Sequence, residues 1–198
     1  LASYSTDAAD EITYISGDIK ADTSFDDGTI VVVNGNLNIA DNAHLYVTDG
    51  AKFTVNEGVT LTVNGENSGI YFSSKADVDI NGTLVIGEKG TMDFYTGKLM
   101  PQTGQDQAAT ATDAEPVLEE PGFTINGTLT FQNGTQSPFT EAGVIAVSSA
   151  GVVNVTSVGA KVSTVGNFTL GLMPGATFNM RGIASEGIAI IAIPDLSA

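Results

Sequence analysis

Few residues of this chain have both the type and the spacing for chemistry. The best carboxylate pair is Asp77 and Asp79, with Lys75 just before them. Residues i and i+2 of an extended strand share a face. The pair is therefore expected on one side of a strand, where two acids beside a cation could serve acid–base work on a polysaccharide. Asp93 lies one strand further along and so falls on a different side. Asp41 and Asp49 are the other outward acids near strands, and Arg181, the only arginine, stands alone. The only histidine, His44, precedes Leu45 and reads as an outward polar residue rather than a base or a ligand. Acids are densest at Asp26-Asp27-Gly28 and at Asp7, Asp10 and Glu11. Calcium takes about six to eight oxygens from a shaped loop, and neither stretch has an EF-hand or a Gly-Gly-x-Gly-x-Asp pattern. No catalytic residue, cofactor or metal site is expected. A different chemistry is suggested by Thr60-Leu61-Thr62 and Thr128-Leu129-Thr130. Equivalent positions elsewhere hold Asn36/Asn38, Thr83/Val85, Val152/Asn154 and Thr177/Asn179. An ice-binding surface requires a regular array of this kind. This one is interrupted in most repeats, and Thr and Val also simply suit strands. Sequons for glycan attachment occur at Asn81, Asn126, Asn133, Asn154 and Asn167. At Asn81 and Asn126 they coincide with a turn phrase.

Composition narrows the classes. Seven basic residues against 23 acidic ones in 198 give a net charge of −16. Nucleic acid and anionic lipid need clustered Lys and Arg, so neither is an expected partner. Such a charge suits solubility, or basic partners and cations. The chain has no Cys and no Trp, which excludes disulfides and thiolate metal sites and fits a secreted protein. Its start at Leu1 is expected of a processed chain or a fragment. No apolar run is long enough for a membrane span.

The elements that must position these residues follow from a repeat. Ile80-Asn81-Gly82-Thr83-Leu84-Val85-Ile86 returns as Val33-Asn34-Gly35-Asn36-Leu37-Asn38-Ile39 and as Ile125-Asn126-Gly127-Thr128-Leu129-Thr130-Phe131. With looser copies, the glycines fall at 35, 58, 82, 127, 151 and 175, in steps of 23, 24, 45, 24 and 24 residues. A constant period of this size marks a solenoid. Within each period, apolar pairs recur about every eight residues, as in Leu37/Ile39, Leu45/Val47 and Phe53/Val55. Polar residues such as Asn38, Tyr46 and Thr54 separate the members of a pair. Alternation of period two describes strands with one buried face, and three of them per repeat describe a three-sided coil. Asn34-Gly35, Asp49-Gly50, Asn64-Gly65, Asn81-Gly82, Asn126-Gly127 and Asn133-Gly134 are read as turns needing positive φ. Asn-Gly is also a hairpin signal, so an antiparallel sandwich or jelly roll is the competing architecture. A sandwich has no reason to keep a fixed period. The expectation is therefore an all-β parallel β-helix of about 24 residues per coil, with six to seven coils.

The 45-residue step is one coil plus 21 residues, placed where the apolar pattern stops, at about 97–121. That segment reads as a loop looped out from a corner, and as the best binding element on the scaffold. Residues 1–33 read as an N-terminal arm and an irregular first coil, and residues 34–198 as the β-helix. The tail Ile188-Ala189-Ile190-Ile191-Ala192-Ile193 is apolar on both faces and wants cover. No amphipathic capping helix is legible, although solenoids ordinarily protect their ends.

The Asn-Gly-Thr-Leu phrases at 81–86 and 126–131, with their 24-residue spacing, resemble secreted right-handed parallel β-helix proteins. Autotransporter passengers and filamentous-haemagglutinin-type adhesins are examples. The resemblance covers roughly residues 30–198 and is one of architecture, so it implies fold and an extracellular, cell-surface location and carries over no functional residue. The chain departs from the long adhesins in its few coils and from autotransporters in having no membrane barrel. Three functions are expected in descending order. The first is a structural subunit that stacks end to end on copies of itself, with Leu1, Tyr4, Ile188, Ile190, Ile191 and Ile193 as contact residues. The second is a cell-surface binding module that uses the 97–121 loop on surface glycans. The third is a polysaccharide-active enzyme built on Asp77 and Asp79.

Overall fold

A computed structural model describes residues 1–7, 11–95, 122–139, 143–156, 164–166, 168–181 and 188–192. Strand β1 (Ser3–Asp7) precedes the coil. The first lap is β2 (Ile12–Ile19) and β3 (Thr23–Phe25), and the second is β4 (Ile30–Ile39) and β5 (His44–Val47). Three strands per lap follow: β6 (Lys52–Val55), β7 (Thr60–Val63) and β8 (Ser68–Ser73), then β9 (Asp77–Ile80), β10 (Thr83–Ile86) and β11 (Gly90–Tyr95). The next laps are β12 (Phe123–Ile125), β13 (Thr128–Phe131) and β14 (Gln136–Ser137), then β15 (Val144–Val147), β16 (Val152–Thr156) and β17 (Thr164–Val165). Strands β18 (Phe168–Leu172), β19 (Thr177–Arg181) and β20 (Ile188–Ala192) complete the stack.

Every pairing except that of β1 is parallel and joins one lap to the next. The first face stacks the leading halves of β2 and β4, then β6, β9, β12, β15, β18 and β20. The second face stacks the trailing halves of β2 and β4, then β7, β10, β13, β16 and β19. The third face carries β3, β5, β8 and β11, and β14 and β17 form a short ladder beyond them. The chain is thus the three-sided parallel β-solenoid that the spacing indicates. Leu37, Leu61, Leu84, Leu129, Val153 and Phe178 sit in one register, at steps of 24, 23, 45, 24 and 25 residues. These are about five regular turns, slightly fewer than the six to seven expected, because the laps outside them are irregular. In the first lap the offset between β2 and β4 changes from Ile15↔Val33 to Gly17↔Leu37, so β4 bulges by two residues over Asn34, Gly35 and Asn36, opposite Ser16. Leu84 and Leu129 are in register across a 45-residue step, so the chain between β11 and β12 is 21 residues longer than one 24-residue period requires. The 97–121 segment lies outside the described residues.

The interior is what alternation specified. Each inward pair from Leu37/Ile39 to Val153/Val155 is buried. Aromatic rings run through successive laps: Phe72 meets Phe123 edge-on at 4.8 Å, Phe94 meets Phe139 at 5.3 Å, and Phe139 meets Phe168 at 4.7 Å.

The Asn-Gly corners work differently from a hairpin turn. Gly50 and Gly134 have positive φ, but Gly35, Gly65, Gly82 and Gly127 do not. Glycine is required there by close approach. A Cβ on Gly127 would stand 2.0 Å from the Gly82 carbonyl oxygen, and one on Gly82 would stand 2.2 Å from that of Asn56. The two N–H groups of Asn126-Gly127 both donate to the Ile80 carbonyl, and those of Asn81-Gly82 to Val55. Asn126 Nδ2 donates to Asn81 Oδ1 at 2.8 Å, so the asparagines stack as a ladder. Asn126→Ala is expected to lower stability by about 1 kcal/mol, the net worth of one such hydrogen bond. A shift of the urea midpoint at unchanged slope checks this.

The N-terminal arm is not free. Strand β1 lies antiparallel on β2, from Ser3↔Ser16 to Asp7↔Ile12. With Ile15, Ile19 and Phe25 all buried, the interior is closed at this end.

Candidate functional site

The residues that stand out lie at the two ends of the stack. Seven large apolar side chains are exposed among the described residues: Leu1, Tyr4, Val144, Met173, Met180, Ile190 and Ile191. All but Val144 belong to the first or the last strands and their connections. Leu1 is 92% exposed and Tyr4 52%.

At the opposite end, Met180 is 51% and Ile190 48% exposed, although both point into the coil. Their register partners Val155 and Leu170 are fully buried. The difference comes from position alone, since no described strand lies over β19 or β20. Ile191, in register with Gly171, faces outward and is 56% exposed. The backbone of Ile188 is in register with Phe168. Its side chain, and the whole of Ile193, lie outside the described residues. Edge strands with unpaired N–H and C=O groups invite another strand. Here β20 and β19 offer such edges at one end, and β1 and β3 at the other.

Other sequence candidates are dispersed. Asp77 and Asp79 project from the outer side of the first face, with Lys52 Nζ at 3.7 Å from Asp77. Lys52, one lap earlier, holds this place rather than Lys75. Asp93 is on the third face. Burial raises the Asp79 carboxyl above its ordinary value, the Asp77 charge adds to this, and Lys52 opposes it. A raised carboxyl is protonated more readily in the folded chain, so ionised Asp79 weakens the fold at neutral pH. That penalty fades as pH falls through the raised value and is gone below about 4. Asp79→Asn is therefore expected to raise the melting temperature at pH 7 and to leave it unchanged near pH 3, as thermal denaturation at the two pH values would show.

His44 is more engaged than the sequence suggests. Its ring Nδ1 lies 2.8 Å from Asp22 Oδ1, which also accepts the His44 backbone N–H at 3.0 Å. Tyr46 stacks on Tyr71 at 5.1 Å, and the ring of His44 lies 6.0 Å from that of Tyr71. Burial, then the charges of Asp22 and Tyr71, raise the Tyr46 phenol. Burial, then Asp93 and Asp22, raise that of Tyr71. One lap of spacing links Asp22 to His44 and Tyr46 to Tyr71. Comparing positions one period apart is the signal that finds these contacts.

Among the described residues, no three His, Cys, Asp or Glu side chains cluster as metal ligands, and no helix is long and apolar enough to cross a membrane. Two shallow hollows flank the second face. One of about 490 Å³ is lined by Lys20, Asn38, Asp41, Thr62 and Asn64. One of about 630 Å³ is lined by Asn56, Glu57, Asn81 and Asn126. Of the sequon asparagines, Asn81 and Asn126 are tied to each other, and Asn133 is half-buried. Asn154 donates to Thr130 and accepts from Asn179, while Asn167 lies outside the described residues.

The chain matches no protein-family model, no curated protein and no solved structure.

Proposed function

We propose that this chain is an extracellular structural subunit that stacks end to end, the open C-terminal lap of one copy on the N-terminal lap of the next. One observation carries the reading. Exposed apolar side chains are concentrated at the two ends of a stack whose sides carry one, Val144, among the described residues. The ends are unlike, so the contact is heterologous and leads to an open filament rather than a closed pair.

Magnitudes indicate what the junction needs. Covering the exposed parts of Met173, Met180, Ile190 and Ile191 is worth roughly 1 kcal/mol each. Association costs about 4–15 kcal/mol in lost freedom. Apolar contact alone therefore falls short, and the edge strands have to contribute hydrogen bonds by strand addition. Assembly is then cooperative and concentration-dependent.

Negative-stain electron microscopy of the purified chain over a concentration series tests the reading. Seven strands stacked at about 4.8 Å span roughly 30 Å. The expected result is thin unbranched fibres with an axial repeat of roughly 30–40 Å, given that strand spacing. Monodisperse particles at the highest concentration reached reject it.

A further inference from the structure

The second face differs from the other two. From β4 to β19 its outward side chains form two straight ranks. Asn36, Thr60, Thr83, Thr128, Val152 and Thr177 make one, and Asn38, Thr62, Val85, Thr130, Asn154 and Asn179 make the other. These twelve positions hold six threonines, four asparagines and two valines, with no charge and no aromatic ring. The second rank meets a charge at each end: Asp18 of β2 is in register with Asn38, and Arg181 follows Asn179 by two residues on the same side of β19. Lys20 and Asp41 also line the hollow beside Asn38 and Thr62. The outer side of the first face carries Lys52, Asp77 and Asp79, and the third carries Tyr46, Tyr71 and Asp93. A chain of net charge −16 thus keeps this side neutral through the four central strands β7, β10, β13 and β16.

The hydroxyls of Thr60, Thr62, Thr83 and Thr128 make no hydrogen bond to the described chain, so they face solvent ready for an outside partner. The asparagines are held in place by their neighbours. Asn179 Nδ2 donates to Asn154 Oδ1 at 2.8 Å, and Asn154 Nδ2 donates to Thr130 Oγ1 at 3.4 Å. Asn36 Oδ1 accepts the Thr60 backbone N–H at 3.0 Å, and Asn38 Nδ2 donates to Asp18 Oδ1 at 3.4 Å. The threonines are positioned by strand register.

We propose that this two-rank face, neutral across its four central strands, is an ice-binding surface in which Asn and Val take the place of Thr at the six positions that interrupt the Thr-x-Thr array. The spacing follows from the backbone. Successive laps stand about 4.8 Å apart and residues i and i+2 of a strand about 6.7 Å apart, distances close to the repeats of oxygen atoms on a prism plane of ice. Threonine methyls order the water beside them, and the hydroxyls between complete its hydrogen bonds. A charged side chain would hold its own hydration shell and spoil the match. An aromatic platform, which sugar rings would stack on, is absent from these ranks. The proposal is independent of end-to-end assembly, because the ranks lie along the side of a single subunit.

The purified chain is placed on single ice crystals in a nanolitre osmometer and, in a second assay, in slowly growing ice. Shaped crystals, a measurable thermal hysteresis and uptake into the ice are expected. Thr83→Lys, at the centre of the first rank, is expected to lower the hysteresis at least tenfold with the melting curve retained. Thr60→Lys repeats the test should that variant not fold, and Thr54→Lys on the first face is expected to change nothing. Round crystals with exclusion of the wild-type chain from ice overturn the proposal. So does full activity in a folded Thr83→Lys variant, or retention on crystalline chitin or cellulose without uptake into ice.

Discussion

Ile190→Asp is expected to leave the coil folded and to stop end-to-end growth. Ile190 points inward in the last lap, in register with the fully buried Leu170, yet is 48% exposed. A junction that covers it would have to bury a carboxylate with no cation provided for it. Such burial costs about 2–3 kcal/mol per junction, which raises the concentration needed for assembly roughly 30–150-fold. Because the ends are unlike, the variant keeps its N-terminal lap. Mixed with wild-type chains, it adds by that end and refuses the next subunit, so fibres shorten in proportion to its share. Tyr4→Asp, at the other end, should block assembly alone in the same way. Sedimentation and electron microscopy of each variant, alone and mixed with wild type, check both. Fibres of undiminished length with either variant would remove the terminal laps from the junction.

Phe139→Ala is expected to cost about 3–5 kcal/mol, the range for emptying a buried phenylalanine site. Phe139 is fully buried and touches the rings of Phe94, Phe131 and Phe168, so the cavity would open between laps. In a stack, each lap leans only on its neighbours. The loss should therefore be local: amides of β12 to β18 should exchange faster by about two to four orders of magnitude, as that energy implies. Those of β4 to β8 should change far less. Hydrogen exchange read by mass spectrometry separates the two halves. Uniform acceleration along the chain would show instead that the solenoid opens as one unit.

Most of the fold was legible because a solenoid writes its geometry as a period. Inward pairs such as Leu61/Val63 and Phe123/Ile125 are buried as alternation required. What the period could not show is how laps touch. The glycines of the Asn-Gly corners were read as positive-φ turns, whereas Gly82 and Gly127 are there to let one backbone pass close to the next. That requirement depends on the lap below, which a local reading of two residues does not contain. The same holds for Asp22 with His44, partners 22 residues apart. At the ends the period gives no guidance. Residues 3–7 have no apolar alternation and read as a loose arm, yet their backbone finds an unpaired edge on β2. Pairing of that kind is made by main-chain groups, so side-chain pattern is silent about it. The candidate contact residues were legible for a simpler reason: Ile190 and Ile191 are apolar where the repeat stops.

The reversed strand β1 has a consequence for how a crowd of these chains behaves. Each interior layer offers its neighbour the same parallel edge, so a half-finished copy could thread its laps into another molecule's stack and tangle. By closing one end with a segment that runs the other way, the chain presents newcomers with a surface unlike any it uses internally. Each molecule thus carries a punctuation mark at this end, so that a junction with the next copy differs in strand direction from every contact between its own laps.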